Sequence, residues 1–187
     1  MGAQINELVL QAKEGNAEAF GELYEIYQKE LYRYACCVIG SDSLAQDAVQ
    51  EAVLSAYEQL RLLKKNESFK NWLFKILLNI CKRYYLQSER AKYVVDIDDE
   101  GSRGVQPAVS SPELSTELKD ALEKLNYQER EIVLLSVLGN YKSHEIAEIL
   151  DCPAVTVRSK LKRALKKMRD QLEYPTAKGG EKDEQKK

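Results

Sequence analysis

Histidine is nearly absent from this chain. His144 is the only one among 187 residues, and the four cysteines, Cys36, Cys37, Cys81 and Cys152, form no CxxC pair. Zinc ligation needs such groups at recognisable spacing, so no metal site is expected. The thiols read instead as buried small apolar groups, Cys36 and Cys37 pointing to different sides of a helix. Glycine-rich phosphate loops and serine nucleophile elbows are missing as well. A Cys–His pair could be built only from His144 and Cys152, and Asp98–Asp99 stands where nothing would hold its geometry. The chain is therefore expected not to be an enzyme, to need no cofactor and to take no small-molecule substrate. No apolar run approaches a membrane span. The opening MGAQINELVLQ lacks the form of a signal peptide, and Asn6 stands where a myristoylation signal has Ser or Thr. A cytoplasmic location is the expectation. Alternating strand patterns are absent too, and most of the nine Gly and four Pro fall between helical patterns. The fold class is all-α.

What is present is charge, unevenly placed. The 28 Lys and Arg nearly balance the 30 Asp and Glu, for a net −2. Residues 1–60 nevertheless carry ten acids and three bases, whereas residues 61–92 carry nine bases and two acids. Residues 93–117 are net −5, residues 118–153 net −3, and residues 154–173 net +5. Two basic blocks set in an acidic chain suggest two nucleic-acid contacts and a surface suited to a basic partner.

Helical periodicity divides the chain in two. A first helix is expected from about Gln4 to Glu14 with Gly15 as its left-handed stop. Asn16 is placed to cap a second helix striped by Phe20, Leu23, Tyr24, Tyr27, Leu31, Tyr34, Ala35 and Val38, with Gly40 ending it. Ser41 to Ser43 offer caps for a third, with Leu44, Ala48, Val49, Ala52, Ala56 and Leu60 inward and Asp47, Gln50, Glu51 and Glu58 outward. After a polar loop at Lys64–Glu67, a fourth helix capped by Ser68 is expected to about Lys92, its core candidates Phe69, Trp72, Leu73, Ile76, Leu77 and Ile80. It also interleaves Trp72, Phe74, Tyr84 and Tyr85 with Lys70, Lys75, Lys82 and Arg83, a pattern suited to single-stranded DNA, where rings stack on bases and cations follow phosphates. Trp72 reads equally well as core. Asn79, a two-sided amide among Ile76, Leu77, Leu78 and Ile80, is suited to reading the edge of an extruded base or to satisfying a loop backbone.

Asp96 to Pro112 reads DIDDEGSRGVQPAVSSP, acidic and with little to bury, and is expected to be an extended linker. Helices resume near Glu113 (Leu114, Leu118, Leu122, Leu125) and at Gln128–Leu138 (Ile132, Val133, Leu135). The stretch Ser143–Leu172 then reads as a short helix capped by Ser143, a break at Asp151-Cys152-Pro153, and a second helix with Val157, Leu161, Ala164, Leu165, Met168 and Leu172 at helical spacing. Between them stand seven cations from Arg158 to Arg169 with no acid among them. A short helix, a tight turn and a basic second helix is the helix-turn-helix plan. The charged tail after Pro175 lacks apolar residues and is expected to be disordered.

Three segments together resemble the extracytoplasmic-function (ECF, group 4) sigma factors of bacterial RNA polymerase, over about residues 5–172. AFGELYEIYQKELYRYA followed by LAQDAVQEAVLSAY is similar to the family's first domain, with its D-x-V-Q-E signature at Asp47, Val49, Gln50 and Glu51. FKNWLFKILLN is similar to its F-x-x-W-L-x-x-I-x-x-N segment at Phe69, Trp72, Leu73, Ile76 and Asn79. EIAEILDCPAVTVRSKLKRAL is similar to its helix-turn-helix, matching at Asp151, Cys152, Pro153, Thr156, Val157, Arg158 and Ser159. The chain departs from the pattern at Val53, where an aromatic is usual, at Val155, where a small residue is usual, and at Lys82 and Arg83, near a usual acid.

The resemblance implies two small helical domains joined by an extended acidic linker. Residues 1–93 would form a sigma region 2-like unit, 94–112 a linker, 113–174 a sigma region 4-like unit, and 175–187 a charged tail. Asp47, Gln50 and Glu51 would dock on the clamp helices of the polymerase β′ subunit, with the β flap as a second polymerase contact. Trp72, Lys75, Asn79, Lys82 and Arg83 would hold the melted −10 element, Asn79 contacting a flipped base. Thr156, Arg158, Ser159, Lys160, Lys162 and Arg163 would read the −35 duplex in its major groove, where arginine suits guanine and lysine suits phosphate. The linker would thread the polymerase RNA channel. Core RNA polymerase, promoter DNA and an anti-sigma factor, membrane-anchored for many relatives, are the implied partners. A stand-alone helix-turn-helix regulator, or a helical adaptor that binds only proteins, are the competing readings. The first does not account for the first basic block, the Asp47–Glu51 stripe or the stretched linker, and the second does not account for the unpaired basic helix.

Overall fold

The structure, a computed structural model, describes residues 2–95 and 114–173. Most of the expected linker at 94–112, and the tail at 175–187, lie outside them. Among the described residues there are eight α-helices and no strand. They are α1 (Gly2–Lys13), α2 (Ala17–Ile39), α3 (Asp42–Gln59), α4 (Phe69–Val95), α5 (Thr116–Glu123), α6 (Tyr127–Val137), α7 (Ser143–Ile149) and α8 (Ala154–Glu173). Short 3-10 turns at Leu60–Leu62 and Asn66–Ser68 lead from α3 into α4.

Local signals place most of these boundaries. Gly15 has φ +103 and Gly40 φ +78, both in the left-handed region that glycine enters at little cost. The Asn16 side-chain oxygen accepts from the amides of Glu18 and Ala19 at 3.0 and 3.1 Å, satisfying donors that the first turn of α2 leaves open. Asn126 and Glu129 form a capping box on α6. One expected cap bond is missing and two expected boundaries shift. Ser41 makes no side-chain cap bond. Ser143 is the first residue of α7 rather than its cap, and the Glu145 carboxylate accepts from the Lys142 amide at 2.7 Å instead. Helix α4 runs on to Val95, three residues past Lys92.

Small residues let the first four helices approach closely. Ala45, Ala48, Ala52 and Ala56 form a fully buried stripe on α3, so α2 and α4 pack against its backbone while Leu23, Leu31, Tyr34, Phe69 and Leu77 fill the space between. In the second unit α8 packs on α5, α6 and α7, burying Val157, Ala164 and Met168 against Leu122, Ile132, Leu135 and Ile146. Leu165 and Leu172, expected on the same stripe, are exposed. They lie at the margin of the apolar arc.

The two units also pack on each other, through contacts of α2 with α6 and of α4 with α7. Phe74, expected among DNA-stacking rings, is fully buried and stands edge-on to Tyr34 at 6.0 Å and to Tyr141 at 5.4 Å between centroids. Lys70 caps this cluster. Its ammonium lies 4.8 Å from the Tyr141 ring centre and pairs with Glu30 at 2.8 Å. Tyr85, also read as a stacking ring, packs on Tyr127 at 5.0 Å.

Candidate nucleic-acid and polymerase-docking surfaces

The turn before α8 sets its orientation. Asp151 adopts φ +48, a left-handed conformation that Asp tolerates better than most residues. The Pro153 carbonyl accepts from the Thr156 and Val157 amides, starting the helix directly after the break. With Val157, Ala164 and Met168 held in the core, Arg158, Ser159, Lys162, Arg163, Lys166 and Arg169 face solvent together. Lys166 and Arg169 extend the expected contact set by two turns along the same face. Thr156 is half-buried at its edge. Lys160 departs from it, donating to the Gln128 side chain of α6. Lys167 likewise turns to α6, bonding both Glu129 oxygens at 2.7 and 2.8 Å. Burial opposes the charge on Glu129, but Lys167 and the Asn126 amide outweigh it and hold the carboxyl below its usual range.

Trp72, Lys75, Asn79, Lys82 and Arg83 fall along one arc of α4. Asn79 and Lys82 are exposed, whereas Trp72 is half-buried with its ring 6.1 Å from that of Phe69. Lys75 pairs with Asp151 of the helix-turn-helix break at 2.6 Å. Lys75, Asn79, Lys82 and Lys160 line one cavity of about 440 Å³ between α4 and the second unit. Residues expected to hold two different DNA elements thus face each other here. Glu131 borders the same cavity, where burial pushes its carboxyl up to about 7, incompletely opposed by Lys82 and Lys160.

On α3, Asp47 and Gln50 are exposed and Glu51 is half-buried, its two carboxylate oxygens taken by the Arg83 guanidinium. Gln50 borders an apolar groove of about 360 Å³ between α2 and α3, lined by Phe20, Tyr24, Val53, Leu54 and Tyr57. Leu54 is 59% exposed and Tyr57 44%. Sequence reasoning missed this groove. Its signal was a second set of large apolar residues, Val53, Leu54 and Tyr57, on the side of α3 away from its alanine stripe. His144 is exposed. Cys36, Cys37 and Cys81 are buried as expected, and Cys152 is half-buried beside the cavity. Among the described residues no helix is long and apolar enough to cross a membrane.

A basic helix-turn-helix beside an exposed apolar groove on one all-α chain is the make-up of a DNA-binding transcription regulator. Two family models narrow the class. Sigma-70 region 2 matches residues 23–91 and Sigma-70 region 4 matches residues 115–168. The ECF RNA polymerase sigma-E factor of Escherichia coli K12 is 32% identical over 178 residues, covering 88% of this chain and 93% of that one. The ECF RNA polymerase sigma factor SigW of Bacillus subtilis is 27% identical over 185 residues, covering 92% and 98%. Among solved structures, that of CnrH in complex with the cytosolic domain of CnrY matches with a TM-score of 0.71 at 23% identity, covering 92% of this chain and 99% of that one. The sigma factor RpoE bound to the anti-sigma factor NepR, from Bartonella quintana, matches at 0.67 and 24%, covering 85% and 99%. The chain belongs to the ECF sigma factors of the sigma-70 family, and it acts in transcription initiation. A stand-alone helix-turn-helix regulator is not favoured, since both sigma regions are present in order.

Proposed function

We propose that this sigma factor divides its work between its two helical units. Residues 1–93 dock on the core polymerase and hold the −10 element, and residues 113–174 read the −35 duplex. The observation that carries this reading is the separation of two exposed surfaces of opposite character. The α8 face from Arg158 to Arg169 is cationic, and the α2–α3 groove is apolar with Gln50 at its side and Asp47 exposed one turn before Gln50 on α3. An apolar groove followed along α3 by the exposed Asp47 suits a helical partner carrying basic residues, as the β′ clamp helices would supply, and charge complementarity would speed and orient that encounter. On α8, Arg158 is placed to fork onto guanine while Lys162 and Arg163 neutralise phosphates.

Lys75, Asn79 and Lys82 would meet the non-template strand only after the second unit moves off α4. Their present neighbours, Asp151 among them, occupy the path a strand would take. Assembly with polymerase, which needs the two units apart to span two promoter elements, would supply that separation. An anti-sigma factor would oppose it, in keeping with the complexes of the structural relatives. The chain works in the cytoplasm and carries out no chemistry of its own. Transcription reconstituted from the purified chain and core polymerase on genomic DNA tests the reading. Discrete promoter-specific transcripts are expected, and initiation indistinguishable from core polymerase alone would overturn it.

A further inference from the structure

Glu51 and Arg83 are assigned to two different partners by the reading above, yet in the free chain they hold each other. One Arg83 nitrogen reaches both Glu51 oxygens, and the guanidinium lies 5.6 Å from the centre of the Tyr84 ring. Tyr84 faces the same acids: burial first, then the charges of Glu51 and Asp47, raise its hydroxyl above its usual range. Helices α3 and α4 are packed together along the alanine stripe. Exchanging partners would therefore need only a change of side-chain rotamer, with no movement of either backbone. The pair is partly exposed, with side chains 49% and 40% accessible, so its strength is modest and a competing cation can take the carboxylate.

We propose that the Glu51–Arg83 pair is an exchange switch that makes polymerase docking release a DNA contact. In the free chain each residue masks the other. When a basic side chain of the polymerase captures Glu51, Arg83 is freed to join Lys82 and Asn79 on the strand-facing arc of α4. Linkage makes the coupling reciprocal, so DNA bound through Arg83 leaves Glu51 open and tightens docking. The proposal rests on the docking reading for Asp47–Glu51.

The test measures two affinities for the full chain: for a fluorescein-labelled single-stranded oligodeoxythymidylate, and for core RNA polymerase. Glu51→Gln is expected to bind the oligonucleotide two- to five-fold more tightly, the range an exposed pair can return, through the exposed Arg83, which lies outside the cavity that the second unit covers, and to bind polymerase more weakly. Arg83→Gln is expected to bind polymerase two- to five-fold more tightly and the oligonucleotide more weakly. Asp47→Asn removes the same charge one turn away without releasing Arg83, so it should tighten oligonucleotide binding less than Glu51→Gln does. In the double variant the gain from Glu51→Gln should vanish. Equal gains from Asp47→Asn and Glu51→Gln would reduce the effect to net charge and overturn the switch. Unchanged polymerase affinity in Arg83→Gln would also overturn it while leaving docking at Glu51 intact. Unchanged polymerase affinity in Glu51→Gln would remove the docking reading and the switch together.

Discussion

Replacing Glu131 by Gln should stabilise the chain at pH 8 and leave its stability at pH 4 nearly unchanged. Glu131 lies on α6, and burial beside α4 lifts its carboxyl from 4.5 to about 7. Between those values the native state holds a proton that the unfolded chain has released. Each pH unit then costs about 1.4 kcal/mol of stability as pH rises, and the loss levels off once the folded group has also ionised. The full span would amount to about 3.5 kcal/mol at most. The residue is only half-buried and borders a 440 Å³ cavity that can hold water, so about 1–2 kcal/mol is expected. Gln keeps the shape of the neutral acid and cannot ionise, so subtracting its pH curve from the native one cancels every other titrating group. Trp72, the only tryptophan, is half-buried on Phe69 and provides the fluorescence signal for urea unfolding at the two pH values. A stability difference independent of pH would refute the reasoning, because it would mean that Glu131 is ionised throughout or matters only through its shape.

Three other perturbations probe different parts of the chain. A Cβ at Gly139 would lie 2.5 Å from the Tyr141 ring and 2.8 Å from the Leu135 carbonyl oxygen, and the carbonyl cannot yield without disturbing α6. Gly139→Ala should therefore destabilise the chain by about 1–3 kcal/mol in urea unfolding and loosen the Phe74–Tyr141 contact between the units. Arg158→Ala should weaken transcription by the equivalent of about 1–3 kcal/mol on promoters with a −35 element and much less on promoters without one. Equal loss on both would show that it reads no base there. Leu54→Glu, at an exposed position of the groove, should leave the unfolding transition within about 0.5 kcal/mol of native. It should weaken capture of core polymerase in a pull-down, and unaltered capture would move the docking site elsewhere.

Much of this protein was determined by its sequence alone, because much of it is local. Helix ends follow from φ preferences and orphan amides, which act over four or five residues, so Gly15, Asn16 and Gly40 mark boundaries without any knowledge of the fold. The outward basic face of α8 and the Asp47–Gln50–Glu51 stripe follow equally from helical period. Tertiary structure decided which of two plausible sides each remaining residue takes. Phe74 carries no local mark that separates a stacking ring from a core ring, and it is buried between Tyr34 of α2 and Tyr141, 67 residues later. Lys75 and Lys160 look like free cations on their own helices, and their partners Asp151 and Gln128 belong to elements far along the chain. Arg83 and Glu51 each fit a separate DNA or polymerase contact until the packing of α3 on α4 brings them together. Periodicity states that a side chain lies on a face. What covers that face depends on long-range packing, and here that packing turned residues that look free in the sequence into each other's partners.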